Sequence, residues 1–207
     1  RFEEAFPGER EPVTVRNVAR ALASFERTLL SFDSPYDRYE RGDPQALPPA
    51  AVRGLTLFQS ERLECFHCHG GFTFSDSVSH AGLPEPERAF HDDGLYDEDG
   101  HGAYPVGDRG LVEMTGRPED MGRFKAPTLR NVAVTAPYMH DGSIPTLAAA
   151  VEHYARGGVG ANKDPLLAGF ALDDDERADL LAFLESLTDD RFLEGARFGP
   201  PSDLERR

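Results

Sequence analysis

The sequence of 207 residues contains only two cysteines, Cys65 and Cys68, which stand three positions apart and are followed directly by His69. Chance rarely produces this arrangement in a chain with two cysteines and seven histidines. Cys-x-x-Cys-His is the sequence to which c-type haem is attached. The cysteine sulfurs bond to the two vinyl groups of the haem, and the histidine ligates the iron as its proximal ligand. The motif therefore predicts a covalently bound haem, around which the chain must fold.

Three other uses of the cysteine pair are less favoured. A disulfide across two intervening residues adds little stability, because the entropy removed from the unfolded chain grows with loop length. A thioredoxin-like redox pair requires a βαβ context, which the sequence does not predict. A zinc site needs four ligands, so His67, His69 or His80 would have to join the cysteines without a second cysteine pair. Haem attachment requires an oxidising compartment on the export side of the membrane, so we expect a periplasmic protein.

Charge and hydropathy exclude two classes of function. The chain holds 22 Lys and Arg against 37 Asp and Glu, which gives a formal net charge of −15. Nucleic-acid binding needs a basic face, so we expect no nucleic-acid partner. No run approaches about 18 apolar residues, so we expect no membrane span. The sequence begins with neither an initiator Met nor a signal peptide, and we expect a processed or truncated product.

The pattern of apolar residues predicts an all-α, loop-rich fold. Apolar residues recur at helical spacing in four segments, at 13–31, 49–60, 146–156 and 173–187. The 20 Gly and 16 Pro predict extensive loops, chiefly at 32–48 and 70–123. Such loops suit a chain that wraps around a cofactor, because the cofactor supplies part of the apolar core. We expect a cytochrome c-like haem domain at 49–207, preceded by an N-terminal helical segment and loop at 1–48.

Two of the predicted helices carry clear apolar faces. The first begins behind Thr14 as its N-cap, and we expect its apolar stripe to pack into a core; the stripe comprises Val18, Leu22, Phe25 and Leu29. The last helix has an acidic first turn, which complements the helix dipole. Its broad apolar face comprises Leu180, Leu181, Phe183, Leu184 and Leu187.

An acidic segment at residues 91–100, HDDGLYDEDG, combines carboxylates with glycine. Such a segment can bind calcium, but this one lacks the ligand spacing of an EF-hand loop. We therefore expect a solvated acidic loop there rather than a calcium site.

The group opposite the proximal histidine determines what a haem does. A methionine raises the reduction potential, an empty position admits peroxide, and a tyrosine oxygen favours oxidised iron. The candidates that follow His69 in the chain are Met114, Met121, Met139, His140, His153 and Tyr154. Composition alone leaves the choice among them open.

Several separated motifs resemble the C-terminal haem domain of bacterial di-haem cytochrome c peroxidases. They include FKAPTLRNV at 124–132 and TAPYMHDG at 135–142. The opening RFEEAF, the segment ALASFERTLLS with the DSPYDRY that follows, and the GLTLF ahead of the haem motif are similar to the same family. These motifs occur in order over roughly residues 1–190. The resemblance implies a di-haem oxidoreductase of which this chain covers the second half.

The resemblance also implies a ligand for the open side of the iron. In the family's ordinary peroxidases this ligand is a methionine on the helix after the His-Asp-Gly turn, and Tyr154 occupies the matching position here, with Gly157 and Gly158 after it. This combination resembles the MauG-type branch, whose members use two haems to oxidise side chains of a partner protein. It implies that His69 and Tyr154 ligate the iron of an electron-relay haem, which makes Tyr154 a catalytic residue. The alternatives are Met139 as ligand and a packing role for Tyr154.

Two further site assignments concern a calcium ion, which the resemblance implies, and the haem propionates. The family binds a calcium ion between its domains, partly through main-chain carbonyls at the positions of Thr135 and Pro137, and carbonyl oxygens suit this hard cation. Lys125 and Arg130 can pair with the haem propionates, since cationic donors match carboxylates. Solvated surface charges are the alternative for these two residues.

The chain departs from the family by having one haem motif instead of two, and it has no Trp. The missing first half carries the haem at which peroxide reacts, its acid–base residues and a Trp between the haems. We expect a second haem in an N-terminal peroxidatic domain, either cut away or on another chain. Two other functions stay open, namely a di-haem peroxidase that takes electrons from a small redox protein and a single-haem electron carrier.

Overall fold

A computed structural model describes residues 1–79, 82, 89–195 and 198–199 of the chain. Its α-helices are α1 (Phe2–Ala5), α2 (Val15–Glu26), α3 (Pro35–Glu40), α4 (Pro49–Phe58), α5 (Cys65–Cys68), α6 (Val112–Thr115), α7 (Leu147–Ala155), α8 (Asp174–Glu185) and α9 (Asp190–Leu193). Two short strands, β1 (His91–Asp92) and β2 (Arg123–Phe124), pair antiparallel. The prediction of a helical, loop-rich, cytochrome c-like fold is confirmed.

The four predicted helices correspond to α2, α4, α7 and α8. Helix α3 was missed, since its segment was predicted to be loop. A capping box starts it, in which the Ser34 side chain accepts from the Asp37 amide and the Asp37 side chain accepts from the Ser34 amide. Pro35 at the first helical position adds to this signal. No helix in the described ranges is long and apolar enough to cross a membrane.

The contacts divide the chain into two compact units, one of residues 34–188 and one of residues 1–33 together with 189–207. Helix α3 and the buried Leu47 thus lie in the same unit as the cysteine motif. The predicted division into an N-terminal helical segment and loop at 1–48 and a haem domain at 49–207 stays a prediction.

Helix α2 is the main element of the unit formed by the two ends of the chain. Thr14 caps it by accepting from the Asn17 amide, and the buried Asn17 donates to Glu9 and to the Pro12 carbonyl. The apolar stripe of this helix is exposed at Val18, Leu22, Phe25 and Leu29. The expectation that it packs into a core is therefore wrong for this chain. Helical spacing identifies an apolar face, but it does not supply the element that covers the face.

Helices α4 and α8 form the centre of the larger unit. Their backbones approach closely at Gly54, where a Cβ would lie 1.9 Å from the carbonyl oxygen of Asp179. The Arg53 guanidinium donates two hydrogen bonds of 2.6 Å to the Asp179 carboxylate across the same contact. Buried apolar side chains surround this helix pair, namely Leu55, Phe58, Leu63, Phe74, Val132, Val151, Leu180, Phe183, Leu184 and Leu187.

Candidate haem-binding site

The cysteine motif forms a single helical turn, α5, after an irregular entry. Glu64 precedes the turn in the left-handed backbone region at φ 57°. The His69 amide donates to the Cys65 carbonyl at 3.0 Å and so closes the turn. Both thiols are free and partly buried, and burial raises the pKa of the Cys65 thiol to about 12. The two sulfurs and the imidazole are thereby presented from one turn of chain.

His69 is held as a ligand histidine would be held. Its Nδ1 lies 3.1 Å from the carbonyl oxygen of Phe74. Burial lowers the pKa of His69, against the opposing effect of the Phe74 and Pro127 carbonyls, so the neutral ring is favoured. A neutral imidazole that donates from Nδ1 keeps its lone pair on Nε2, which is the arrangement required of a metal ligand. The donor set of this turn therefore fits a covalent haem.

A cleft of about 570 Å³ lies beside His69. Its walls are largely aromatic, with Phe58, Phe66, Phe72, Phe74 and Tyr36 among the lining residues. Three charged residues, Asp37, Glu40 and Arg130, also reach it. Apolar walls with a few fixed polar groups are typical of cofactor sites.

Tyr154 lies on α7 near the cysteine motif. Burial raises the pKa of its hydroxyl, and the negative charges of Asp93, Cys68 and Cys65 raise it further. Helix α7 ends directly after it, because Gly157 and Gly158 have positive φ values of 79° and 63°. The structure thus places Tyr154 within electrostatic reach of both cysteines.

Sequence comparison assigns the chain to a family. The family model described as di-haem cytochrome c peroxidase matches residues 1–45, and a RoxA-like, cytochrome c-like model matches residues 123–158. The methylamine utilization protein MauG of Methylorubrum extorquens is 36% identical over 90% of this chain and 48% of its own length. The chain belongs to the di-haem cytochrome c peroxidase/MauG family. It spans about half the length of the curated relatives it matches.

The relatives of this chain carry two kinds of name, MauG and cytochrome c peroxidase. The cytochrome c peroxidase Ccp of Escherichia coli is 35% identical over 90% of this chain and 34% of its own length. The crystal structure of a MauG-like protein associated with microbial copper homeostasis is 45% identical, with a TM-score of 0.89, and the match covers 97% of this chain and 61% of that protein. Haem c is the cofactor that the family implies.

Arg130 and Lys125 differ in their surroundings. The Arg130 side chain is buried and donates two 2.9 Å hydrogen bonds to Asp37. Although burial opposes it, hydrogen bonds from Arg130 and Ser34 hold the pKa of Asp37 below its usual range. Lys125 is exposed. Arg130 borders the same cleft as His69, and the propionate contacts of both residues stay predictions.

The predicted calcium ligands and the alternative iron ligand Met139 lie in the segment that leads from strand β2 to helix α7. Thr135 and Pro137 are exposed and stand two positions apart, and their role in calcium binding stays a prediction. Met139, the alternative iron ligand, is partly buried with a positive φ of 69°. Met114 is almost fully exposed.

Sequence reasoning missed a histidine that joins two loops of this unit. His91 lies 2.8 Å from Asp164 through Nδ1 and 2.7 Å from Asp76 through Nε2. A contact with Cys68 raises the pKa of His91, burial opposes this, and the bonds with Asp164 and Asp76 raise it further, to about 10. The Asp76 amide donates to the Cys68 carbonyl. His91 therefore ties the loop after the cysteine motif to the segment after α7.

The acidic segment at 91–100 is only partly the solvated loop that was expected. Asp92 is buried, and it accepts from the Tyr104 hydroxyl at 2.6 Å and from the Gly94 amide at 2.9 Å. Asp99 is exposed, as predicted. The expectation was wrong for Asp92 because Tyr104, twelve positions away, supplies the hydrogen bond that a buried carboxylate needs.

Proposed function

We propose that this chain is the electron-relay haem domain of a MauG-type di-haem enzyme, which uses a peroxide-level oxidant to oxidise side chains of a partner protein. The observation that carries the proposal is the position of Tyr154, a partly buried side chain on α7 within electrostatic reach of Cys65 and Cys68. The identity to MauG over most of the chain supports this branch of the family.

Each residue of the site has a defined role in this proposal. Cys65 and Cys68 would hold the haem through thioether bonds, and His69 would hold the iron through Nε2. The bound haem supplies one-electron redox chemistry. Tyr154 would hold the iron through its phenolate oxygen, because a cationic metal would outweigh the burial that otherwise keeps the phenol protonated. Its hard, anionic oxygen stabilises oxidised iron and blocks peroxide from this position.

The second haem and the peroxide site belong, in this proposal, to a domain that precedes residue 1 in the full-length protein or lies on a separate chain. We propose that this domain covers the exposed stripe of α2. Two observations support it: residues 1–45 match the di-haem peroxidase model, and the relatives are about twice as long as this chain. The stripe, defined by Val18, Leu22, Phe25 and Leu29, is apolar and exposed, as an interdomain face would be in the isolated half.

Three further assignments complete the proposal. The main-chain carbonyls of Thr135 and Pro137 ligate a calcium ion, since oxygen donors suit this cation. Lys125 and Arg130 pair with the haem propionates through charge-assisted hydrogen bonds. Because haem attachment needs an oxidising compartment, the protein acts in the periplasm.

Substitution of Tyr154 in the full-length, haem-loaded protein tests the function. Tyr154→Phe should open the iron to cyanide or imidazole and abolish oxidation of the partner protein, because the ligand that stabilises oxidised iron is lost. Absorption titration with each small ligand measures the first effect, and intact mass confirms two haems. Tyr138→Phe is the matched control, since the Tyr138 hydroxyl donates to the Val132 carbonyl.

A near-infrared sulfur-to-iron band in the wild-type spectrum would contradict the assignment and give the ligand role to Met139. The second candidate function, a peroxidase that reduces hydrogen peroxide with electrons from a small redox protein, would then be favoured. The peroxidase names among the relatives support this candidate.

A further inference from the structure

A cluster of four rings lies apart from the cysteine motif and runs from the interior to the surface of the larger unit. The aromatic cluster consists of Tyr96, Tyr104, Phe124 and His140. Tyr104 is almost completely buried, and Tyr96 is partly exposed. Their ring centroids are 5.6 Å apart in an edge-on arrangement. The His140 ring stacks on Phe124 at 3.7 Å and lies 6.0 Å from Tyr104, so the rings form one continuous contact.

Tyr104 is bonded to a proton acceptor in the interior. Its hydroxyl donates to Oδ1 of the buried Asp92 at 2.6 Å, and the Leu95 amide donates to the phenol oxygen at 3.1 Å. A Cβ on Gly122 would lie 2.3 Å from the Tyr104 ring, so only glycine leaves room for the phenol at this position. Such a short bond to a carboxylate is of the charge-assisted kind. The phenol is therefore held in place with a base attached.

Tyr96 repeats this arrangement nearer the surface. Its hydroxyl donates to Oδ2 of Asp141 at 2.5 Å, and the Ser143 amide holds Oδ1 of the same carboxylate at 2.9 Å. Tyr138, by contrast, donates to a carbonyl oxygen, which is not a base at physiological pH. Two tyrosines in ring contact thus each carry their own carboxylate.

This pairing matters because a phenol that loses an electron becomes a strong acid. Oxidation is favourable only where a positioned group accepts the proton at hydrogen-bond distance. We propose that Tyr104 and Tyr96 form a proton-coupled redox pair, which carries oxidising equivalents from the haem site to the surface at Tyr96, where a protein substrate is oxidised. This inference rests on the proposed function and identifies Tyr96 as the residue at which the oxidising equivalent leaves the protein.

Asp93 connects the aromatic cluster to the helix that carries Tyr154. Its carboxylate oxygen Oδ1 lies 3.1 Å from the Tyr104 hydroxyl, and its carbonyl oxygen lies 2.8 Å from Nε2 of His153. The His153 ring lies 5.4 Å from the ring of Tyr154 in an edge-on arrangement. Contacts between bonded or packed groups therefore run from Tyr154 to Tyr104.

Each step conserves electrons and protons. Tyr104 gives one electron to the peroxide-oxidised haem and its proton to Asp92, which leaves a neutral tyrosyl radical and a protonated carboxyl. Tyr96 then gives one electron to Tyr104, which recovers its proton from Asp92, while the Tyr96 proton passes to Asp141. An aromatic side chain of the substrate protein gives one electron to Tyr96, which recovers its proton from Asp141. The net result is one electron moved from substrate to haem.

Freeze-quench electron paramagnetic resonance tests the pair in the full-length, haem-loaded protein mixed with hydrogen peroxide. We expect a tyrosyl signal that changes when the protein contains ring-deuterated tyrosine. Tyr104→Phe should remove this signal, and Asp92→Asn should slow its formation by about a hundredfold, as the loss of a positioned proton acceptor does. Tyr96→Phe should keep the Tyr104 signal and prolong its lifetime when substrate protein is added. Tyr138→Phe is the control and should leave the signal unchanged.

An identical tyrosyl signal in Tyr104→Phe would overturn the inference, as would a wild-type protein whose haem absorption responds to peroxide without any tyrosyl signal. In either case the proposed function stands, because the haem is still oxidised. A haem absorption that does not respond to peroxide would overturn both. If Asp92→Asn fails to fold, Asp141→Asn provides the second variant, and it should slow the decay of the Tyr104 radical instead.

Discussion

Helices α2 and α8, each taken with the residues that directly follow it, carry apolar side chains at the same spacing. In the first these are Leu22, Phe25 and Leu29. In the second they are Leu180, Phe183 and Leu187. The three side chains of the first helix are 57%, 49% and 38% exposed, whereas those of the second are 2%, 0% and 0% exposed. Both helices begin with a side-chain N-cap. Local sequence therefore specifies each helix and its apolar face equally well.

The difference lies in what covers each face. Helix α8 packs against α4, where Gly54 lets the backbones approach and Arg53 pairs with Asp179. In the described residues of its own unit, α2 receives an edge contact from Phe198 on Phe25, and its stripe stays largely exposed. An apolar stripe thus indicates that some surface covers it, but it does not identify the part of the protein that provides this surface. The proposed first haem domain would supply that surface for α2.

The largest expected effect is a contrast between two phenylalanines. Phe183→Ala should destabilise the 207-residue haem-loaded chain by about 3–5 kcal/mol, because it removes a fully buried ring that packs on Phe58 and Phe74. Phe25→Ala should change the free energy of unfolding by less than about 0.5 kcal/mol, since its ring is already half exposed. Denaturant unfolding followed by circular dichroism measures both.

The same pair of variants in the full-length protein sharpens the comparison. There Phe25→Ala should become costly, because the proposed first domain buries the ring. A Phe25→Ala variant as destabilised as Phe183→Ala in the 207-residue chain would show that the stripe is already covered. A harmless Phe25→Ala in the full-length protein would exclude the first domain as the partner of α2.

A smaller effect should follow from closing the space between α4 and α8. Gly54→Ala places a Cβ 1.9 Å from the Asp179 carbonyl oxygen and 2.8 Å from the Phe183 Cβ, so the helices must separate. The expected cost is about 1–3 kcal/mol, typical of overpacking, and the midpoint of thermal unfolding measures it. The matched control is Ala21→Leu at an exposed position of α2, which should shift stability by less than about 0.5 kcal/mol. If Gly54→Ala and Ala21→Leu changed stability equally, the contrast between the packed helix α4 and the exposed helix α2 would be contradicted.

The features that the sequence predicts well are those encoded by neighbouring residues. The cysteine motif and the four long helices fall in this class, and α3 could have been found too, since Ser34 and Asp37 form its capping box within four positions. The contacts that were missed join distant segments. Asp164 lies 73 positions from His91, and no local pattern links them.

The candidate site divides in the same way. The donor set of Cys65, Cys68 and His69 follows from five consecutive positions, whereas Tyr154 was reached only through the family resemblance. The burial of Asp92 was not predicted, because its partner Tyr104 belongs to a loop without periodicity. A polar residue in a loop is buried only when the fold brings a hydrogen-bond partner to it, and the local sequence pattern does not identify that partner.

The smallest expected effect concerns the caps of the two helices. Asp173 forms a capping box with Glu176 at the start of α8, and Thr14 accepts from the Asn17 amide at the start of α2. Asp173→Ala should lower global stability by about 1 kcal/mol, because α8 cannot unfold without exposing the core on α4. Thr14→Ala removes a comparable hydrogen bond, but α2 can fray without uncovering its stripe, which is already exposed. Its effect should therefore appear as faster amide hydrogen exchange confined to α2, with the global unfolding midpoint unchanged.

In the full-length protein the Thr14→Ala effect should become global, since fraying would then expose the interdomain face. A global loss of stability from Thr14→Ala in the 207-residue chain would mean that α2 is already part of a cooperative core.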